Sequence, residues 1–228
     1  QSGEKFSLGV NLYHMKYENQ LVLTGKINDV GAYRRANIDE SYRKGIELEA
    51  TYKLSDKMTW AGNMTLSENK IISHTEYVDN WDTWGQEKID YENTDLAFSP
   101  TAILASIFNY KVDKNISIDF ISKYVGEQFI DNTSSNDRKL DDYLVNNLRL
   151  AYKWESKIFK TAKLTLQVNN LLDNEYVSNA WVYRFVSDGY DPREYDHYVN
   201  ADSERGYNMA AYFPEATRNY LLGLTLGF

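Results

Sequence analysis

From Arg218 to Phe228 the sequence RNYLLGLTLGF puts Arg218, Tyr220, Leu222, Leu224, Leu226 and Phe228 on one side of an extended chain. Gly223, Thr225 and Gly227 fall on the other. A period of two with one greasy side is a strand, and it recurs along the chain. Ile46, Leu48, Ala50, Tyr52 and Leu54 alternate with Gly45, Glu47, Glu49, Thr51 and Lys53. A polar turn at Ser55, Asp56 and Lys57 leads to Trp60, Gly62, Met64 and Leu66, which predicts a hairpin. A second hairpin turns at Asp113, Lys114 and Asn115, between Leu104, Phe108, Tyr110 and Ile116, Ile118, Phe120, Tyr124. A third turns near Ser156 to Thr161, between Leu148, Leu150, Tyr152, Trp154 and Leu164, Leu166, Val168. The first strand supplies Phe6, Leu8, Val10 and Leu12; beyond Leu12 the parity changes to Tyr13, Met15, Tyr17, Leu21 and Leu23. That change marks either a bulge or a strand leaving a membrane.

Eight strands result, joined alternately by tight turns and by long polar connections at roughly residues 29–41, 76–94, 130–140 and 182–216. Outer-membrane barrels have this asymmetry, with strands of about 9 to 11 residues that suffice to cross. Tyr52 and Trp60 flank one short turn, and Tyr110, Tyr152 and Trp154 flank others, where interfacial aromatic girdles fall. The outward faces are too apolar for water, yet there is little second apolar face for a sandwich core. The expected fold is therefore all-β: an antiparallel up-and-down transmembrane β-barrel wall of about eight strands, one unit over residues 1–228. Mean hydropathy of −0.58 does not oppose this, because alternation hides barrel strands from averages.

Other classes fall away on composition. No apolar run approaches the roughly 18 to 20 residues of a membrane-spanning helix. A net charge of −8 argues against a grip on nucleic acid, which needs clustered Lys and Arg. The absence of cysteine fits passage through an oxidising periplasm without disulfides. Gln1 follows no basic and apolar leader, so a signal peptide has been removed or the chain is a fragment.

Three segments carry a resemblance to the C-terminal barrel of TonB-dependent outer-membrane receptors: QLVLTGKINDV (Gln20 to Val30) with SYRKGIELEA (Ser41 to Ala50), VNNLLDNEY (Val168 to Tyr176), and the final NYLLGLTLGF. The resemblance implies a 22-stranded barrel closed by an N-terminal plug, with eight strands here as its last third. It also implies uptake of a scarce ligand, most often a ferric siderophore or other iron complex. An inner-membrane energy-transducing TonB complex would drive this by contacting the missing N-terminal part. Outer-membrane lipid and the barrel assembly machinery are further implied partners.

The same resemblance makes Tyr220, Leu222, Leu224, Leu226 and Phe228 the assembly signal of a closing strand. Asn169, Asn170, Leu171, Leu172, Asp173 and Asn174 interrupt the alternation with side chains that bond backbone locally, which points to a structural role. Ligand capture is expected in the long loops, where Tyr77, Trp81, Trp84, Tyr183, Tyr190, Tyr195, Tyr198 and Tyr207 offer rigid aromatic surface; half of them are expected only to pack the loops. Asp188, Asp191, Glu194, Asp196, Asp202 and Glu204 match no Ca²⁺-ligand spacing and read as solvated loop charge, with Arg184, Arg193 and Arg205 interspersed. His14 faces lipid near an interface, and His74 and His197 lie towards different loops, so no metal site is expected. Ser, His and acid are not gathered into a catalytic arrangement, and no cofactor is implied.

Two other architectures fit the strand count. A free-standing eight-stranded barrel with a structural or adhesive role would pair Glu47, Glu49 and Lys53 with Asp119 and Lys123 across a narrow lumen. A soluble all-β module would use its loop aromatics on sugars.

Overall fold

The computed structural model describes residues 5–27, 33–155 and 158–228. The chain runs β1 (Phe6–Ile27), β2 (Tyr33–Lys53), β3 (Met58–Asn80), β4 (Gly85–Asp95), β5 (Ala102–Lys111), β6 (Ile116–Val125) and β7 (Gln128–Phe129). It continues through β8 (Lys139–Leu140), β9 (Tyr143–Trp154), β10 (Thr161–Asn169), β11 (Val177–Val186), β12 (Val199–Ala201), β13 (Tyr207–Pro214) and β14 (Asn219–Gly227). A short 3-10 turn, Pro192–Glu194, lies between β11 and β12.

The eight expected strands are β1, β2, β3, β5, β6, β9, β10 and β14, each antiparallel to the next. The order follows the chain, as an up-and-down wall requires. The edges of β1 and β14 away from β2 and β10 are unpaired among the described residues, so the sheet is open. A closed eight-stranded barrel would pair β1 with β14, and that alternative fails here.

The register explains why one face is greasy. Phe6, Tyr52, Trp60, Phe108, Phe120, Leu148, Val168 and Tyr220 are successive cross-strand partners, so all share one face. Gly62 is on that face beside Trp60, where an added Cβ would come within 2.7 Å of the indole ring. Aromatic pairs line the short-turn rim: Phe6 with Tyr52 (6.2 Å), Trp60 with Phe108 (6.4 Å), Tyr152 with Trp154 (5.4 Å) and Phe159 with Phe228 (5.3 Å). The opposite face is polar, and its charges pair with neighbouring strands rather than across a narrow lumen. Arg149 on β9 meets Asp119 on β6 at 2.7 Å, and Asn109 on β5 donates to the same carboxylate at 2.5 Å.

The change of parity after Leu12 is not a bulge. The β1–β2 register is constant from Phe6↔Tyr52 to Glu18↔Glu40, and the first irregular residue is Asn19, with φ 59°. A strand of 22 residues at about 3.3 Å each far exceeds what crosses the hydrocarbon, so β1 leaves the membrane. β2 and β3, at 21 and 23 residues, do the same, whereas β5, β6, β9, β10 and β14 have 9 to 12.

The long polar connections carry strands of their own. Residues 33–41 belong to β2, and 76–94 form most of the β3–β4 hairpin. Residues 130–140 include β8, which pairs with β7, and 182–216 hold the end of β11 with β12 and β13. Their polar side chains bond one another, so polarity there does not mean exposure. Residues 28–32 of the first connection, and Ser156 and Lys157 of the third short turn, lie outside the described residues.

Candidate functional site

At the long-loop end three hairpins from distant parts of the chain meet around two buried arginines. Arg138, fully buried beside β8, places Nε 2.7 Å from Asp131 and donates from Nη2 to Thr133 Oγ1 at 2.7 Å. Its Nη1 bonds Asp202, whose side chain is also fully buried. Arg184 on β11 sets Nη1 2.6 Å from Glu76 on β3 and 2.7 Å from the Tyr91 hydroxyl on β4. Its Nη2 lies 2.7 Å from Glu204, to which Tyr91 also donates at 2.7 Å. A planar guanidinium presents several donors at fixed angles, so each arginine ties together groups from different hairpins.

Two guanidiniums thus face four carboxylates, and the protonation balance shifts accordingly. Burial pushes the Glu76 carboxyl above its usual range, against the pull of Arg184. Tyr91 is raised first by burial and then by Glu76. Burial lowers the imidazole of His74, which stacks on Tyr91 at 5.4 Å, with Asp131 opposing.

An aromatic column stands beside this network. Trp81 stacks on Phe185 at 4.0 Å, and Phe185 is flanked by Tyr183 at 5.3 Å and Tyr207 at 5.5 Å. Trp81 Nε1 donates to the Tyr183 hydroxyl at 3.0 Å, and that hydroxyl donates to Asp79 at 2.9 Å. Gly206 makes the tight β12–β13 turn at φ 79°, where a Cβ would lie 2.4 Å from the Phe185 carbonyl oxygen.

The eight loop aromatics therefore divide. Trp81, Tyr183 and Tyr207 belong to the column, and Tyr77 is half-buried between Lys26 (5.1 Å) and Lys88 (5.7 Å). Trp84 is 92% exposed at the β3–β4 tip, and Tyr190, Tyr195 and Tyr198 are exposed around the 3-10 turn. Tyr190 and Tyr195 stack at 6.2 Å. Tyr220, Leu222, Leu224 and Leu226 lie along the open edge strand β14, Phe228 follows directly after it, and all five are exposed.

The acidic group lies mostly at the surface, and Asp202 is its one buried member. At the surface Asp188 pairs with Arg205 at 2.8 Å and Asp191 with Arg193 at 2.6 Å; Asp202 is buried between the two arginines, and Glu204, 40% exposed, meets Arg184 at the edge of that network. Asp191 also caps the 3-10 turn through Arg193 N, and these bonds hold its carboxyl down at about 2. His14 is exposed against Tyr42, His197 lies against Tyr198, and His74 is buried against Tyr91.

VNNLLDNEY acts as a staple between the ends of β9, β10 and β13. Asn170, at φ 50° and 2% exposed, accepts from Asn174 N at 3.0 Å and donates to Asn174 O at 2.8 Å and Ala216 O at 3.4 Å. Asp173 accepts from Arg218 N at 2.7 Å, which positions the start of β14.

Sequence reasoning missed Arg138, Glu76, Asp131, Tyr91 and Phe185. They sit in polar stretches with no strict period, so nothing local distinguishes a buried ion pair from a solvated one.

An open antiparallel sheet with one lipid-facing side, an aromatic rim at its short turns and tall, knitted loops is part of the wall of a large outer-membrane β-barrel. Residues 2–171, about three-quarters of the chain, match the family described as TonB dependent receptor-like, beta-barrel. The chain belongs to that family, which comprises transport receptors rather than enzymes. No curated protein matches by sequence. Solved structures share the fold at low identity. The ferric-catecholate import receptor Fiu of K12 E. coli is 16% identical, with TM-score 0.59, over 99% of this chain and 26% of that one. The copper transporter OprC is 16% identical, with TM-score 0.64, over 100% and 30%. A ferric enterobactin receptor of Pseudomonas aeruginosa, PfeA, is 18% identical, with TM-score 0.58, over 100% and 29%. The chain thus spans between a quarter and a third of the length of these three proteins.

Proposed function

We propose that this segment is the C-terminal part of a TonB-dependent outer-membrane transporter that takes up a ferric siderophore or another iron complex. The open sheet under a knitted loop cap carries the reading, because a wall with two free edges serves only as part of a wider ring. Family membership and the iron-complex receptors among the similar folds support it. In this proposal the earlier strands of a 22-stranded barrel, the plug and the contact with the energy-transducing TonB complex lie upstream. β14, with Tyr220, Leu222, Leu224, Leu226 and Phe228, is the strand read by the barrel assembly machinery. The buried arginines hold the cap rigid, and the exposed aromatics Trp84, Tyr190, Tyr195 and Tyr198 face incoming ligand. Tyr77, Trp81, Tyr183 and Tyr207 support them from below.

The test is iron uptake by the native bacterium with and without the gene, supplied in turn with ferric catecholate, hydroxamate and citrate complexes. Loss of uptake for one complex, reproduced by collapsing the proton-motive force, is expected. Unchanged uptake of all three would overturn the iron reading. Within an active transporter, joint replacement of Trp84 and Tyr195 by alanine is expected to raise the half-saturating ligand concentration while folded protein stays at wild-type level. No change would remove these aromatics from the ligand path.

A further inference from the structure

On the lipid-facing side of the wall a groove of about 460 Å³ crosses the sheet from Leu8 on β1 to Leu144 on β9. The register shows how it arises. Ala50, Gly62, Ser106 and Ser122 are successive cross-strand partners, so they form one row of small side chains. On the short-turn side this row is bordered by Tyr52, Trp60, Phe108 and Phe120, and on the other side by Leu48, Met64, Leu104, Tyr124 and Leu144. A low row between two tall ones is a trough. The indole of Trp60 lies over Gly62, and its Nε1 donates to Ser106 at 2.9 Å. An interfacial tryptophan ordinarily turns its polar edge to the headgroups. Here that edge is turned into the hydrocarbon zone and fixed there, so the wall of the groove is preformed.

Length, slope and polarity decide what fits. Leu8 lies two residues from the short-turn end of β1, whereas Leu144 lies one residue from the long-loop end of β9. The groove therefore climbs towards the long loops as it crosses five strand spacings, about 24 Å at roughly 4.8 Å each. With barrel strands tilted by about 35–45°, that is a rise of about 15 Å, the depth of one leaflet of a hydrocarbon core about 30 Å thick. The polar groups along it are paired: Ser122 donates to Asn146 at 2.7 Å, and the Tyr124 hydroxyl bonds Asp142 at the long-loop end. A polar or charged occupant would lose its hydration and find none of these groups free. A helix, about 10–12 Å across, does not enter between tall rows whose Cα atoms are about 13 Å apart, since the side chains of both rows narrow the gap. A single alkyl chain does.

We infer that the groove is a binding site for one acyl chain of an outer-leaflet lipid, with the carboxyl end of the chain at Tyr124 and Leu144 and its methyl end towards Gly62 and Trp60. The groove is continuous with the lipid-facing surface, and its upper end lies on the long-loop side, where the outer leaflet meets a barrel of this kind. The inference rests on the lipid-facing wall and is independent of which ligand the receptor carries.

The test uses the full-length receptor in vesicles of dioleoylphosphatidylcholine containing a small fraction of phosphatidylcholine whose acyl chain carries a diazirine, either near its carboxyl end or near its methyl end. Photolabelled residues are mapped by mass spectrometry. Labelling is expected to be several-fold denser in the groove than at Leu150, Leu164 and Leu222, which are exposed elsewhere on the same face. The diazirine near the carboxyl end is expected to mark Tyr124 and Leu104, and the one near the methyl end Met64 and Leu48. Ser106→Leu raises the floor and is expected to bring labelling in the groove down to that background, while Leu150→Phe, outside it, leaves the pattern unchanged. Unchanged heat-modifiable gel mobility shows the variant folded; if it does not fold, Ala50→Phe fills the lower trough without removing a hydrogen bond and is expected to abolish the labelling at Met64 and Leu48. Even labelling over the whole face would mean passing lipid contact only, and the reverse depth order would mean a chain from the inner leaflet. Groove peptides joined to a second receptor would mean a protein interface. Any of these, or unaltered labelling in the folded variants, would overturn the proposal.

Discussion

Replacing Arg138 by methionine removes the group that joins the β7–β8 hairpin to the β12–β13 turn. The side chain is fully buried, and it leaves behind Asp202, also fully buried, and Asp131, 19% exposed. Breaking a buried pair on one side costs about 3–5 kcal/mol, because a charge remains without its partner. Arg184 still reaches Asp202 with Nε at 3.4 Å, so the lower end applies. At roughly 1.4 kcal/mol per tenfold, 3 kcal/mol raises the opening equilibrium of the cap by about two orders of magnitude. The cost is expected to fall on the cap, because the polar partners of the Arg138 side chain are Asp131, Thr133, Asp202 and Glu204, all in the cap. Hydrogen exchange followed by mass spectrometry is the assay. Amides of residues 130–140 and 199–210 are expected to exchange roughly a hundredfold faster, while those of β9 and β10 keep their wild-type rates. Arg138→Met combined with Asp202→Leu is expected to recover part of the protection, since the fully buried orphan is gone while Asp131, 19% exposed, stays without its partner. Uniform loss of protection through the barrel strands, or none in the cap, would refute the assignment of Arg138 as a local lock.

Three further outcomes follow from the same structure. Leu224→Arg puts a charge on the lipid face of β14 at a cost of about 2–4 kcal/mol, whereas Thr225→Arg points to the other face; folded yield in the outer membrane should fall for the first and hold for the second. Asn170→Ala strips the staple of its bonds and strains φ 50°, roughly 2–4 kcal/mol together, while Asn170→Gly relieves only the strain. Thermal unfolding should rank wild type above glycine above alanine, and equal glycine and alanine variants would exclude strain. His74 is held neutral by burial, so its contribution to cap stability is complete above the ordinary value of 6.5 and declines as the unfolded chain takes up a proton below it. The protection of β4 amides, taken relative to their intrinsic exchange rate, should fall below that pH, and His74→Phe should flatten the response. The measurement belongs in a Glu76→Gln background, because the raised Glu76 carboxyl works in the opposite direction.

The membrane wall was legible in the sequence because a lipid face imposes a strict period of two. Tyr52 and Trp60, read as flanking a turn, are register partners, and all eight strands of the wall were placed. The parity change after Leu12 needed the structure, since a bulge and an emerging strand print the same pattern; only the unbroken β1–β2 register separates them. The cap was the least legible. Its strands are buried by polar contacts such as Arg184 with Glu76, which lie 108 positions apart. No period marks such a pair, and Asp202, read as solvated with its acidic neighbours, proves to be a buried partner. Trp81 and Trp84, three residues apart, show the same limit: one stacks in a column and the other stands in solvent.

The free edges of β1 and β14 set a condition on how the wall enters a bilayer. β14 has nine residues, and half of its backbone N–H and C=O groups point away from β10. In hydrocarbon each bare group costs several kcal/mol, so this one edge amounts to tens of kcal/mol. That exceeds the roughly 5–15 kcal/mol by which folded domains are usually stable. Insertion of such a sheet is therefore all-or-none: the seam must be zipped as the strands enter lipid, and a wall left unzipped has no metastable resting place inside the membrane.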